Sequence, residues 1–212
     1  MKVLVGVPVF RIPSIVTRCV DSVLGTPAKV LVIDNNSDVE VKDALKTYGS
    51  RVDIITNTEN KYCNGAWNQI LEYGLVHKFD LIGLGTDANL RSGWYSVVTE
   101  RALHFTDEIL VPRLDTPSVG VEYVTGGMPG YFSFIPRKAA EEVYPIPNAI
   151  KHWYGDQYIF DKVRDNHWKV AILGNFVAHH EFSRVTVATP EAYSVIEQDK
   201  VEWEKLQRDK KQ

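Results

Sequence analysis

The sequence predicts an α/β fold, with a mostly parallel central sheet flanked by helices and a further helix at the C-terminus. Three observations carry that expectation. Short apolar runs rich in valine and isoleucine alternate with segments of helical period three times in the first 80 residues. Several of these runs stop abruptly at polar turn formers, at Asp34-Asn35-Asn36-Ser37 and again at Thr86-Asp87-Ala88-Asn89. The run Asp80–Gly85 is nearly continuous apolar sequence, and it delivers an acid and an amide just beyond its end. In open sheets of this kind, ligands bind outside the carboxyl ends of the strands.

Taken in order, Lys2–Val9 reads as a buried, parallel strand, with Pro8 near its exit into a loop. Ile15, Val16, Cys19, Val20, Val23 and Leu24 then recur at helical spacing, with Ser14 as a candidate N-cap and Gly25 as the stop. Lys29–Ile33 is the second strand, Val39–Tyr48 the second helix and Val52–Thr56 the third strand. A polar loop, Asn57–Asn64, leads into a helix whose face is Trp67, Ile70, Leu71, Gly74 and Leu75. The strand Asp80–Gly85 follows, and Thr86–Asn89 reads as a turn.

After this point the texture changes. Gly93–Phe105 reads as a helix, Glu108–Leu114 and Val119–Thr125 as strands, and Gly126–Gly130 as a flexible turn. Tyr131–Ile135 is a strand and Arg137–Val143 a short helix. Pro145 and Pro147 break the chain before a helix at Gly155–Asn166. Trp168–Leu173 is a strand, extended by Phe176–His180. Thr189-Pro190 opens a long final helix reaching about Lys210, proline being favoured at a first helical position.

Bulk properties narrow the function classes. The 212 residues suffice for a continuous core, and 44% hydrophobic with 24% charged residues is ordinary globular composition. A net charge of −3 gives no global signature of nucleic-acid or anionic-membrane binding. Cys19 and Cys63 form no CxxC pair, so neither a zinc site nor a disulfide framework is indicated, and a cytoplasmic location is expected. MKVLVGVPVF is too short and strand-like for a signal peptide, and no run approaches the roughly 18 apolar residues of a transmembrane helix. No G-x-G-x-x-G follows the first strand, which disfavours a dinucleotide oxidoreductase or a methyltransferase. PVFRIPS also lacks the glycines of a nucleotidyltransferase loop.

Four polar clusters fall at expected strand or loop ends: Pro8–Arg11, Asp34–Ser37, Thr86–Asn89, and the pair formed by Trp153–Asp156 with His179-His180. Each reads two ways alone. Asp87 shapes a turn or offers a hard oxygen to Mg²⁺ or Mn²⁺ on a phosphate. Asp34 caps a helix or grips ribose or base hydroxyls. Asp156 caps its helix or acts as a general base. His179 and His180 alternate across a strand, so one faces inward.

In order and together, the clusters resemble family 2 of the GT-A fold nucleotide-sugar glycosyltransferases. The resemblance runs from Lys2 to about Ser183 through KVLVGVPVFR, VLVIDNNSD, NTENKYCNGAWNQIL, TDAN, YGDQYIFDKVRDNHWKVAIL and NFVAHHE. It implies a Rossmann-like GT-A sheet with residues 1–90 as the nucleotide-binding half, 91–185 as the acceptor and catalytic half, and 186–212 as the C-terminal helix. Pro8, Val9, Phe10 and Arg11 would line the nucleotide pocket, Asp34 and Asn36 would meet the base or ribose, and Asn68 and Thr86 would lie near the nucleotide. Asp87 would hold a divalent metal, Mn²⁺ or Mg²⁺, with Asn89, His179 and His180 as further candidates and His179 preferred. Asp156 would take the proton from an acceptor hydroxyl in an inverting displacement.

The implied donor is a UDP- or GDP-sugar; the acceptor is a glycan, a lipid-linked sugar, a protein or a modified nucleic-acid base. One departure matters: Asn89 stands where the family commonly has a second Asp, which predicts weaker metal binding. It also keeps open a binder of nucleotide or glycan without turnover. Trp153, Tyr154 and Tyr131 are candidates for stacking on a sugar or base, whereas Trp94 reads as core.

Overall fold

A computed structural model describes residues 1–180 and 191–210. The expected Thr189-Pro190 helix start lies outside the described residues. Strands β1 (Val3–Val9), β2 (Lys29–Asp34), β3 (Asp53–Thr56) and β4 (Leu81–Gly85) alternate with helices α1 (Pro13–Val23), α2 (Val39–Lys46) and α3 (Tyr62–Val76). These four strands pair in parallel in the order β3-β2-β1-β4. Parallel pairing needs crossovers, and each helix supplies one.

Beyond β4 the sheet becomes mixed. It continues through β8 (Phe132–Pro136), β6 (Glu108–Leu114), β9 (Lys169–His180) and β5 (Ala88–Leu90), while β7 (Val121–Tyr123) also pairs with β9. Helices α4 (Trp94–His104), α5 (Arg137–Val143) and α6 (Gly155–Asp165) cover this half, and α7 (Glu191–Asp209) follows β9 in the described chain. Among the described residues, no helix is long and apolar enough to cross a membrane.

The sheet separates two cores because strand side chains alternate. Val3, Val5, Val7 and Val9 of β1 pack on α1 residues such as Val16 and Val20. Leu4 faces the other way, into a core with Ile70 and Leu71 of α3. Gly6 shares that second face. A Cβ there would lie inside the Ile70 side chain, so α3 sits directly on the β1 backbone. Trp94 is core, stacked on Phe134 at 5.2 Å, as its sequence context suggested.

Four details differ from the sequence reading. Helix α1 starts at Pro13, with Ile12 in its cap position and no side-chain cap bond, so Ser14 is helical rather than capping. Proline pre-sets the first helical φ and removes one donor that would otherwise be unsatisfied. Helix α3 begins at Tyr62, inside the expected polar loop. The expected turn at Thr86–Asn89 is half strand, because Ala88–Leu90 pairs antiparallel with His180–Ala178. Finally, β9 is continuous to His180; its register against β6 jumps between Pro112 and Arg113, so the bulge at Gly174–Phe176 bends the strand without ending it.

Replacing Gly6 with alanine is expected to lower unfolding free energy by about 1–3 kcal/mol through overpacking against Ile70. Urea denaturation with an unchanged m-value checks this.

Candidate active site

Parallel pairing brings the carboxyl ends of β1, β2 and β4 to one edge of the sheet, and a cavity of about 910 Å³ opens there. Its first wall is the exit of β1, Val7 to Phe10. Behind this exit Arg11 and Ile12 hold positive φ values of 56° and 47°. That conformation is costly for a β-branched residue, so the surroundings must impose it. Trp67 of α3 forms part of the floor, and its indole N–H donates to the Gly85 carbonyl at 2.9 Å.

The second wall carries the acid expected to hold metal. Asp87 follows β4 and lines the cavity. The β5–β9 register places Ala88 opposite His180, and the His180 Nε2 lies 2.6 Å from Asp87 Oδ1. The Thr86 hydroxyl is 3.1 Å from the same oxygen and 2.8 Å from the Tyr131 carbonyl. Burial pushes the Asp87 carboxyl up, but the hydrogen bond and charge of His180 outweigh it, and the pKa falls below the usual carboxylate range. His180 lies under the Tyr131 ring, with centroids 5.5 Å apart.

The third wall is the start of α6. Tyr154 holds a positive φ of 62°, and Gly155 and Asp156 open the helix. Gly155 is needed because a Cβ would collide with the Asn64 amide. Gly130 is needed because a Cβ would lie 2.6 Å from Asp156 Oδ2. The Asp156 Oδ1 accepts the Gln157 backbone N–H at 2.9 Å. Burial nevertheless raises the Asp156 pKa above the ordinary range, against the lowering pull of backbone N–H groups at the helix start. Cys63 lines the same cavity: burial pushes its thiol up, and the charges of Asp156 and then Asp87 push it further.

The fourth wall is α7, through Ala192, Trp203 and Gln207. Trp203 stacks on Tyr154, with centroids 5.6 Å apart and planes 9° from parallel. Trp153 stays 48% exposed at the rim.

Of the residues expected at the site, Pro8, Val9, Phe10, Thr86, Asp87, Asp156 and His180 converge on this cavity. The others lie elsewhere. Arg11 reaches out to Glu191 of α7 at 2.7 Å. Asp34 is buried, its Oδ1 accepting the Ser37 N–H at 2.8 Å in a turn, and Asn36 is exposed. Their neighbour Asn35 lines the cavity instead. Asn68 clamps a distant loop, exchanging two 2.8 Å hydrogen bonds with the Ile146 backbone. Asn89 pairs across from His179, outside the cavity. His179 itself turns to Asp115 at 2.7 Å, so strand alternation brings His180, not the preferred His179, to Asp87. Asn35, Tyr62, Asn64, Gln157 and Trp203 are lining residues that sequence reasoning did not single out. The run NTENKYCNG carried a signal for three polar or aromatic groups at a loop–helix junction, but not for which of them face inward.

The mixed α/β sheet and its helices have the GT-A fold, as the comparison with solved structures shows. The family model of glycosyl transferase family 2 matches residues 4–75, the stretch holding β1 to α3. No curated protein matches the chain. Among solved structures, GalNAc-T7 with UDP, GalNAc and Mn²⁺ superposes with a TM-score of 0.68 at 14% identity, covering 84% of this chain and 43% of that one. TarS 1–349 from S. aureus gives 0.68 at 14% identity, covering 85% and 60%. The mannosyltransferase PcManGT from Pyrobaculum calidifontis, in complex with GDP-Man and Mn²⁺, gives 0.65 at 12% identity, covering 84% and 56%. At these identities the likeness is one of fold, and this chain spans about half the length of those proteins.

Gly155→Ala is expected to destabilise the protein by about 1–3 kcal/mol by driving the α6 start away from Asn64. Thermal unfolding, read beside the fluorescence of the neighbouring Trp153, checks whether the loss is local to this wall.

Proposed function

We propose that the protein transfers a glycosyl group from a nucleoside-diphosphate sugar, UDP- or GDP-linked, to an acceptor hydroxyl. One observation carries the reading. A single cavity at the strand carboxyl ends presents Asp87 with His180 on one wall and a half-buried Asp156 of raised pKa on another. The family 2 match over residues 4–75 and the UDP- and GDP-sugar complexes of the structural relatives support it.

Each residue then has a task. Val7 to Phe10 and Asn35 form the wall against which the nucleotide rests. Asp156 accepts the acceptor hydroxyl proton as that oxygen bonds to the anomeric carbon, and the bond from that carbon to the diphosphate oxygen breaks. A single displacement of this kind inverts the anomeric configuration. The raised pKa suits a base that must hold a proton transiently near neutral pH. Trp153, Tyr154 and Trp203 form the acceptor-side wall, where a sugar ring finds aromatic faces.

A divalent cation is implied by the fold. The donor types suit one: the Asp87 carboxylate and the His180 imidazole would hold it together once the 2.6 Å hydrogen bond between them is given up and the imidazole nitrogen is deprotonated. Among the described residues, no group of three or more His, Cys, Asp or Glu converges, so diphosphate and water oxygens must complete the shell. When bound, the cation offsets charge developing on the leaving diphosphate. With two protein ligands, its retention would depend on the nucleotide.

UDP- or GDP-sugar is expected to raise the melting temperature, and Mn²⁺ to enlarge that shift in the native protein but not in Asp87→Asn. A metal-independent shift equal in both proteins would remove Asp87 from the metal role. Asp156→Asn is expected to abolish transfer while sparing donor binding. Because the carboxyl pKa is raised on folding, its folded state favours the protonated form, and stability is lost as pH rises through that pKa. Asp156→Asn should therefore melt higher than the native protein at pH 7. The acid limb of native kcat/KM should lie above the range of an ordinary aspartate. Full turnover by the variant would overturn the assignment.

A further inference from the structure

Asp199 sits in the middle of α7 and is 1% exposed. Its carboxylate receives three consecutive backbone N–H groups, Lys151 at 2.7 Å on Oδ1, and His152 at 2.6 Å and Trp153 at 2.8 Å on Oδ2. Three successive amides converging on one anion form a nest, here filled by the chain's own carboxylate from 46 to 48 residues away. From the opposite side Asn64 of α3 grips the same segment. Its amide donates to the Ile150 and Trp153 carbonyls, both at 3.0 Å, and its backbone N–H donates to the Lys151 carbonyl at 2.9 Å.

The clamped segment leads directly into Tyr154, with its positive φ, and then Gly155 and Asp156. With residues 150–153 held on both sides, the left-handed turn at Tyr154 fixes the direction in which α6 starts. The stack of Trp203 on Tyr154 holds the same turn from α7. A further link runs from Gln207 through Asp161 to Gln157, each contact 3.0 Å, one residue beyond Asp156. A contact that merely packs a helix on a loop needs no ion. Burying a carboxylate is costly unless it is fully hydrogen-bonded, and its bonds to N–H groups are then short and directional.

We infer that Asp199 is a positioning residue of the active site, which aims the Asp156 carboxylate and sets Trp153 at the cavity rim by clamping residues 151–153. The inference rests on the proposed role of Asp156. It adds a C-terminal helix to the machinery of transfer, from a part of the chain beyond the family 2 match.

The test uses the full chain. Asp199→Asn replaces one acceptor oxygen by a donor that, whichever way the amide turns, faces at least one N–H group, so the clamp loosens without loss of volume. Its kcat is expected to fall about 10- to 100-fold, the cost of a small misplacement of a catalytic group, with donor KM within about twofold of native. Backbone amide exchange at Lys151–Trp153 should accelerate while exchange in β1 and β4 stays native. Ile196→Ala, a buried α7 residue that does not line the cavity, should lower the melting temperature while leaving kcat and exchange at 151–153 unchanged. Native kcat in Asp199→Asn, or an equal fall in Ile196→Ala, would overturn the inference in favour of simple packing. Should Asp199→Asn not fold, Asp199→Ser is read in the same way, and failure of both to fold would also overturn it. If the native protein transfers no sugar, the proposed function fails, while the exchange data still decide whether Asp199 clamps the loop.

Discussion

The cavity exists because β1, β2 and β4 run parallel. Parallel strands end together, and their last residues emerge at one edge with backbone groups that the sheet no longer pairs. Loops must cover that edge, and Asn35, Asp87 and Asp156 are carried on such loops or at the start of the helix that follows one, while His180 is delivered by the end of β9. The alignment itself depends on close contact between α3 and β1, which Gly6 permits by leaving room for Ile70. Trp67 on the same helix then ties the floor to the end of β4. Packing on one face of the sheet thus fixes the position of Asp87 relative to the β1 exit.

Within the cavity, two aspartates are driven in opposite directions. Both are substantially buried, and burial alone would push both pKa values up. Asp87 has His180 at 2.6 Å, and the imidazole keeps it ionised. Asp156 has backbone N–H groups as its compensation, and these do not offset the loss of water. Two carboxylates separated in this way can hold different tasks at one pH, one as a permanent anion and the other as a proton carrier.

Helix α7 joins what the sheet keeps apart. Glu191 near its start meets Arg11 beyond β1, Asp199 in its middle holds residues 151–153, and Gln207 near its end reaches Asp161 on α6. The exposed Arg11–Glu191 pair contributes little on its own, since exposed ion pairs are worth about 0–1 kcal/mol. The buried Asp199 contacts have a different character, because their geometry leaves no freedom to the segment they hold.

Local pattern determined much of this protein. Apolar runs broken by Asp34 and by Thr86-Asp87 marked the strand ends, and helical period marked the crossovers, because burial on a strand or helix imposes a fixed spacing on the residues themselves. The resemblance of the ordered polar clusters to glycosyltransferase family 2 pointed to Asp87 and Asp156, which local pattern alone left open as turn or cap residues. The choice between neighbours belonged to tertiary structure. Asn35 rather than Asp34 or Asn36 lines the cavity, placed by its hydrogen bonds to Asn57, Lys61 and Tyr62 of the next loop, and His180 rather than His179 reaches Asp87, because a strand's facing is set by its pairing register with a partner strand. Asp199 was not legible at all. A carboxylate in an otherwise ordinary helix gains its meaning only when folding brings it to three amides nearly fifty residues away, and no local spacing in the sequence encodes that encounter.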